Sequence, residues 1–194
     1  MKKTILIFTF VLGVSFVLKA QLEIKPTGGI NFSRLSDDPE GYSQSARVGY
    51  QFGGSVQLGK KFYLEPGIFW VKMGSELTGD TINTSYKTDI SAIRIPVFAG
   101  YQLIGGDKEN LFGLRVFGGP TLSWITKIQN DGTKLNKDDF NNLLWGVDAG
   151  VGIDIWLVFI DAGYEWGLNQ VFKDDPNKAK NKAFWINLGM RFRL

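Results

Sequence analysis

The sequence contains neither cysteine nor histidine in its 194 residues. The absence of cysteine excludes a disulfide framework and a thiolate metal site. The absence of histidine removes the side chain that most often acts as a general base and that completes the catalytic triads of acyl transfer. An enzyme built on this chain would have to rely on a pair of carboxylates or on a lysine.

Long apolar runs are also missing, except at the very start. Two lysines, an apolar run over residues 5–18 and a Lys-Ala step make up the first 20 residues. The run is shorter than the ~20 residues that a membrane-spanning helix needs, and its flanks are those of a cleaved secretory signal. The sequence therefore predicts a signal peptide over residues 1–20 and one mature domain over residues 21–194.

An excess of charge of either sign is missing once that segment is removed. The whole chain has 22 Lys and Arg against 19 Asp and Glu. The first 20 residues hold three of the cations, Lys2, Lys3 and Lys19, and no acid, so the predicted mature chain has 19 charges of each sign. A neutral mature chain gives no support for a nucleic-acid partner.

The mature sequence does contain a repeated alternation of apolar and polar residues. Between Ala46 and Leu58 the even positions are apolar or glycine, whereas the odd positions are Arg, Gly, Gln and Ser. A period of two indicates a strand with one apolar face. Because about eight segments follow this pattern, we expect an all-β fold, an eight-stranded antiparallel up-and-down transmembrane β-barrel.

The composition of the polar face indicates which side of the barrel contacts lipid. That face is rich in glycine, and its mid-strand cations are mostly arginine, whose planar group pairs with carboxylates in confined spaces. A soluble barrel such as a lipocalin would instead turn the apolar face inward and expose lysine and glutamate. We therefore expect the apolar face to contact lipid. The predicted charge network of the lumen consists of Lys25, Arg47, Glu65, Arg94, Arg115, Asp148, Asp161, Glu165 and Arg191.

The connections between the predicted strands alternate in length. Long ones are expected around residues 34–45, 74–89, 126–141 and 170–182, and short ones around 59–61, 104–110 and 154–157. Outer-membrane barrels have long extracellular loops and short periplasmic turns. The tryptophans of the apolar face gather near the long connections, as expected for rings at the headgroup level. The predicted aromatic girdle consists of Phe32, Trp70, Trp124, Trp145, Trp166 and Phe184.

Four prolines fall within the predicted strands. Proline cannot donate to a strand ladder and is usually confined to edges, strand starts or bulges. We therefore expect local bulges at Pro26, Pro66, Pro96 and Pro120.

Short motifs spread over the mature chain resemble a known family. They are GGINFS at 28–33, LEPGIFW at 64–70, IRIPVFAGY at 93–101, VFGGP at 116–120 and YEWGLN at 164–169. With these motifs the chain resembles the PorT-like outer-membrane β-barrels of Bacteroidetes-type bacteria. The resemblance implies the barrel fold and an outer-membrane location, and some relatives are linked to the type IX secretion machinery. The last eight residues look like the C-terminal signal that the barrel assembly machinery reads.

No motif in the sequence predicts a catalytic, cofactor-binding or metal-binding residue. Asp161 and Glu165 lie on one inward face, but a salt-bridged lumen explains them better than a catalytic pair does. The Asp-Asp steps of the loops lack the spacing of a calcium loop. We therefore expect a non-enzymatic barrel with a plugged polar lumen, which acts as a structural or interaction protein of the envelope through its extracellular loops. A secretion accessory is one form of that role, and a narrow pore for small solutes is the alternative.

The partners expected on this reading follow from the membrane location. They are outer-membrane lipid, the barrel assembly machinery during biogenesis, and an unidentified extracellular or envelope protein. No cofactor and no nucleic acid are expected.

Overall fold

Strands form nearly all of the part of the chain that the structure describes. The structure is a computed structural model and describes residues 21–35, 42–79, 85–105, 111–131, 141–170 and 180–194. Residues 1–20, where the signal peptide is predicted, lie outside this part. The strands are β1 (Leu22–Leu35), β2 (Tyr42–Gly59), β3 (Phe62–Gly79), β4 (Ser85–Ile104), β5 (Phe112–Asp131), β6 (Leu143–Ile155), β7 (Val158–Gln170), β8 (Lys180–Met190) and β9 (Phe192–Arg193).

Each strand pairs antiparallel with the next one along the chain, and the sheet closes on itself. β1 pairs with β2 on one side and with β8 and β9 on the other. β9 continues β8 in the same register, because Gly189 lies opposite Thr27 and Phe192 opposite Ile24. The chain is therefore a closed eight-stranded antiparallel barrel, and the predicted fold class is confirmed.

The gap between β8 and β9 has a local cause in β1. Pro26 has no amide hydrogen to donate, and the ladder between β1 and the last strand is interrupted where Pro26 would pair. Ladder pairs are also missing beside Pro66, Pro96 and Pro120, yet the register on both sides of each gap is unchanged. The predicted bulges at the prolines are therefore wrong, since each proline removes ladder bonds without inserting a residue.

The register shifts lie elsewhere. They fall between Ala46 and Tyr50 in β2, between Ser91 and Ala92 and between Gln102 and Ile104 in β4, and between Trp166 and Gln170 in β7. At the second of these, two consecutive residues are both buried, Ser91 at 9% and Ala92 at 0% exposure. A bulge of this kind reverses the inside and outside positions that the alternation assigns.

Strand length divides the barrel into two halves. Strands β2 to β5 have 18 to 20 residues, whereas β6 to β8 have 11 to 13. The long connections predicted at 74–89 and 126–141 are therefore partly wrong, because β3 runs to Gly79, β4 starts at Ser85 and β5 runs to Asp131. The outer end of β5 pairs with β4 as far as Asp131, while its ladder with β6 begins only at Trp124. A four-stranded sheet thus extends beyond the rim of the other half.

The outward face of the barrel is apolar along all strands. Exposed side chains there include Phe52 (57%), Ile68 (60%), Val151 (51%) and Leu188 (56%). No helix among the described residues is long and apolar enough to cross a membrane. Charged side chains in the middle of the strands are buried on the other face. The apolar surface is the one expected of strands that face hydrocarbon.

Candidate functional site

The lumen holds most of the charged side chains that the strands bury. At the end of the barrel with the short turns, Lys25 donates to both carboxylate oxygens of Glu65, at 2.7 and 2.9 Å. Lys25 also lies 3.8 Å from a carboxylate oxygen of Asp161. Its ammonium group is 4.3 Å from the centre of the Phe159 ring. A lysine that is only 1% exposed is thereby surrounded by two anions and an aromatic face.

Arg115 lies at the centre of the same group. Its guanidinium contacts Asp161 at 2.5 Å, Asp154 at 3.2 Å and Glu65 at 3.4 Å. The side chain is 1% exposed, so these carboxylates replace its water shell. The planar fork of arginine suits such multiple pairing, and removing it would leave three acids without their central partner.

Two acids of this group were missed in the sequence. Arg191 binds Asp154 at 2.6 Å and lies 3.9 Å from Glu23, which also accepts from Arg193 at 2.7 Å. Asp154 was assigned to a short turn and Glu23 to the start of a strand, although both share the inward parity of their strands. That parity is the signal that could have found them. We call Glu23, Lys25, Glu65, Arg115, Asp154, Asp161 and Arg191 the ionic cluster.

A second polar group lies farther along the strands, toward the long connections. Arg94 pairs with Glu165 at 2.6 Å and donates to Gln51 at 3.2 Å. Asp148 binds no cation among the described side chains. It accepts instead from the Thr121 hydroxyl and, at 2.8 Å, from the indole nitrogen of Trp185. The structure therefore places Asp161 and Glu165 with different cations, Arg115 and Arg94, and not as a carboxylate pair.

Acids outnumber cations among the ten buried charged side chains of the lumen. The acids are Glu23, Glu65, Asp148, Asp154, Asp161 and Glu165, and the cations are Lys25, Arg94, Arg115 and Arg191. The predicted near-balance of five cations and four anions is thus not what the described side chains contain. Arg47 lies opposite Ser33 in the ladder, but its side chain lies outside the described part of the chain.

Aromatic rings fill the lumen between the two polar groups. Phe98, Phe117 and Trp185 stack with centroid distances of 5.2 to 6.4 Å. Together with Tyr63 they form the aromatic layer, a buried set that the alternation did not predict. Three of its rings lie directly opposite a glycine of the next strand, in the pairs Tyr63–Gly100, Phe117–Gly150 and Trp185–Gly163. A Cβ atom on Gly163 or Gly100 would overlap the opposite ring.

Apolar side chains close the lumen at the end with the long connections. They form two buried clusters that share Ile90 as a neighbour. Val71, Ala92 and Ile125 are each 0% exposed. We call this set the apolar cap; its buried members are Phe69, Val71, Met73, Ala92, Ile125 and Leu144. Because the cap is on the inward face, the description of that face as uniformly polar is wrong.

The space that remains in the lumen is small. A cavity of about 30 Å³ lies between the polar groups and the rings, lined among others by Gln51, Glu65, Arg94 and Asp148. Such a volume has room for roughly one or two water molecules. The Nε atom of Arg94 is buried without a hydrogen-bond partner in the protein, so this position suits water.

The predicted girdle residues all lie on the outward face. Trp124, Trp145, Trp166 and Phe184 are 41–61% exposed, and Trp70 and Phe32 are half-buried. Phe32 stacks on Phe184 at 6.4 Å. The gathering of tryptophans at one end is incomplete, because two of the six lie elsewhere. Trp185 points into the lumen, and Trp156 is 68% exposed in the two-residue turn between β6 and β7.

An amide side chain completes the wall near the girdle. Asn169, the last residue of the YEWGLN motif, accepts from the backbone amide of Trp145 at 2.7 Å and donates to the carbonyl of Leu143 at 2.8 Å. These are the two bonds that a peptide group of β7 would make with β6. The motif therefore contributes to the barrel wall, beyond the last ladder pair of these strands at Gly146 and Gly167.

The described side chains form no metal site. No group of three acids among them is arranged to hold a metal ion. The acids of the lumen are instead held by cations, hydroxyls and amides. With its apolar outer wall and filled polar interior, the closed barrel has the architecture of an integral β-barrel protein of the bacterial outer membrane.

The comparisons with known proteins agree with this class. The family described as "Outer membrane protein beta-barrel domain" matches residues 18–173, and the chain belongs to that family. It is accordingly a protein of the outer membrane. No curated protein matches the chain.

Two solved structures are similar in fold. OprG of Pseudomonas aeruginosa has a TM-score of 0.57 at 13% identity, with 90% of this chain and 97% of that chain covered. Neisserial surface protein A has a TM-score of 0.51 at 12% identity, with 89% and 97% covered. At these identities the similarity supports the fold alone.

Proposed function

We propose that this protein is a non-enzymatic membrane anchor that holds a binding surface at the outside of the outer membrane. The observation that carries the proposal is the contrast between a filled lumen and an extended outer sheet. The ionic cluster, the aromatic layer and the apolar cap occupy the lumen in succession, so the interior has little room for a substrate. The surface available for interaction is then at the ends of the strands.

The extended sheet of β2 to β5 is the part best suited to bind a partner. β3 and β4 pair from the rim as far as Thr78 opposite Ser85. β5 follows β4 to the pair of Lys87 with Asp131, beyond the start of β6. Strand edges that are free of a neighbour offer backbone donors and acceptors to a further strand. An extended segment of an extracellular or envelope protein is the partner that such an edge would take.

Site-specific photo-crosslinking in cells tests this proposal. A photoreactive residue in place of Thr78 or Ser85 should give a discrete protein adduct, while the same residue in place of Lys60, in the short turn between β2 and β3, should not. An adduct formed only from Lys60 would move the binding surface to the periplasmic side. The absence of adducts from Thr78 and Ser85 in barrels that fold normally would contradict the proposal.

A narrow pore is the second candidate, and the lumen cavity beside Arg94 is the observation that favours it. A chain of water through the barrel would have to pass both Arg115 and the apolar cap, whose Val71 and Ile125 are fully buried. We therefore expect no steady conductance from the purified protein in a planar bilayer. Well-resolved single-channel openings that disappear when the protein is omitted would favour the pore.

A role as an accessory of secretion is one form of the proposed anchor. The motifs that resemble the PorT-like barrels support it, among them YEWGLN, whose Asn169 completes the wall. If this form is correct, the adducts from Thr78 or Ser85 should contain a component of the secretion machinery, identified by mass spectrometry. Adducts with unrelated surface proteins would leave the anchor function and exclude this form.

A further inference from the structure

The outward face of β1, β7 and β8 has a distinctive distribution of charge near the girdle. In these strands the outward positions contain three charged residues, Arg34, Lys180 and Lys182, and no acid. All three fall at the end toward the long connections. Below them the outward residues are apolar or aromatic as far as the short turns. This half of the rim is therefore cationic.

Two of these cations are direct neighbours in the ladder. Arg34 of β1 lies opposite Lys182 of β8. Lys182 also lies opposite Trp166 of β7 on its other side. Residues in such positions have Cβ atoms roughly 5 Å apart, and like charges there destabilise the sheet. Lys182 has no acidic partner among the described side chains, so the pair calls for an anion from outside the chain.

The other half of the rim differs in this respect. There Lys72 pairs with Asp89 at 2.8 Å on neighbouring strands β3 and β4. Lys127 of β5 lies opposite Ser91, two residues from Asp89. The cations of that half thus have an acid of the chain nearby. The need for an external anion is confined to the strands β8 and β1.

The aromatic rings indicate the depth of the cationic pair. Phe32 and Phe184, two positions below Arg34 and Lys182 on the same face, stack at 6.4 Å. Trp166, beside Lys182, packs on Tyr164 at 4.8 Å. Aromatic rings of outer-membrane barrels lie at the level of the lipid headgroups. A cation at the upper edge of this band is at the depth of the headgroup phosphates.

We propose that Arg34 and Lys182 form a binding site for the phosphate of an anionic glycolipid of the outer leaflet, with the acyl chains lying along Phe32, Phe184 and Trp166. Arginine binds phosphate through two parallel hydrogen bonds, and lysine adds a point charge. The phosphate would replace the repulsion between the two cations by two attractions. This site is independent of the protein-binding surface proposed for β2 to β5.

Native mass spectrometry of the barrel extracted from outer membranes tests the proposal. The probe is phosphorylated lipid A added to the detergent micelles, compared with dephosphorylated lipid A and with inorganic phosphate. The wild-type barrel should retain phosphorylated lipid A as a one-to-one adduct and should discriminate against the dephosphorylated form. The double variant Arg34→Gln, Lys182→Gln should bind it on the order of tenfold more weakly, since hydrogen bonds to a charged group are lost.

Two further variants serve as controls. Lys127→Gln removes the same charge from the other half of the rim and should retain the adduct, and Lys182→Arg should also retain it. A double variant that keeps the adduct, or a wild type that binds both lipids equally, would overturn the proposal. Competition by inorganic phosphate at millimolar concentration would show that free phosphate, and not the lipid, is the ligand, and would overturn it as well.

Discussion

The two ends of the lumen are filled in opposite ways. Toward the short turns the ionic cluster joins seven charged side chains, and toward the long connections the apolar cap places Val71 and Ile125 in a dry interior. Lipid surrounds both ends with the same apolar wall. The difference teaches that alternation along a strand fixes which side chains point inward, but not what chemistry fills the interior.

The two ends also differ in how they respond to the loss of one side chain. An ionic cluster is stable only as a set, because each charge left unpaired in a buried site is costly. An apolar cap loses stability in proportion to the contacts that are removed. Substitutions at the two ends should therefore differ in size and in their dependence on neighbours.

The largest effect is expected at the centre of the ionic cluster. Arg115→Ala should lower the free energy of unfolding by about 3–5 kcal/mol, because Glu65, Asp154 and Asp161 lose their shared partner. Urea unfolding of the refolded barrel in lipid vesicles, followed by tryptophan fluorescence, measures the loss. Arg193→Ala is the control, since this cation is partly exposed at the edge of the same cluster and should cost less than about 1 kcal/mol. Equal losses in the two variants would contradict the central role of Arg115.

An intermediate effect is expected in the aromatic layer, between the two ends. Gly163→Ala should cost about 1–3 kcal/mol, because the added methyl group overlaps the Trp185 ring and forces it to move. Gly28→Ala, on the outward face with no atom within 4 Å of the new methyl group, should leave stability nearly unchanged. The same urea titration compares them. A Gly28 variant that is destabilised as much as the Gly163 variant would show that the loss comes from the strand backbone and not from the ring.

A smaller effect is expected in the apolar cap. Ile125→Val removes one buried methylene and should cost about 0.5–1.5 kcal/mol, as in other apolar cores. Ile160→Val, on the lipid-facing side at 45% exposure, is the matched control and should cost less. If the cap were open to water, the two substitutions would cost the same. Urea unfolding distinguishes these outcomes.

The smallest effect on the barrel itself is expected from processing at the ionic end. We expect the mature protein to begin at Gln21, whose side chain is buried and donates to Glu23 at 3.2 Å. Its carbonyl accepts from the backbone amide of Gly59 at 3.0 Å, so the chain is held from this residue onward. N-terminal sequencing of the protein from outer membranes should return Gln21. Recovery of a chain that still starts at Met1 would refute the cleavage.

The alternation made the fold predictable, because lipid and lumen demand different side chains at successive positions. The even positions from Val48 to Val56 were assigned outward and the structure agrees. The same rule would have found Glu23 and Asp154 if it had been continued to the strand ends. It could not find the apolar cap, since an inward valine such as Val71 differs from a lipid-facing one only in register. The bulge after Ser91 reverses the rule and is set by pairing with β5, which one strand alone does not encode.

The pairing of rings with glycines in the aromatic layer has a consequence for how the barrel assembles. A slip of two residues between neighbouring strands leaves every side chain on its own face, so the preference for lipid or lumen cannot reject it. The rings can. After such a slip Trp185 would meet Asp161 or Glu165 in place of Gly163, and Tyr63 would meet Phe98 or Gln102 in place of Gly100. The aromatic layer thus acts as a proofreading device, which lets neighbouring strands close in one alignment only.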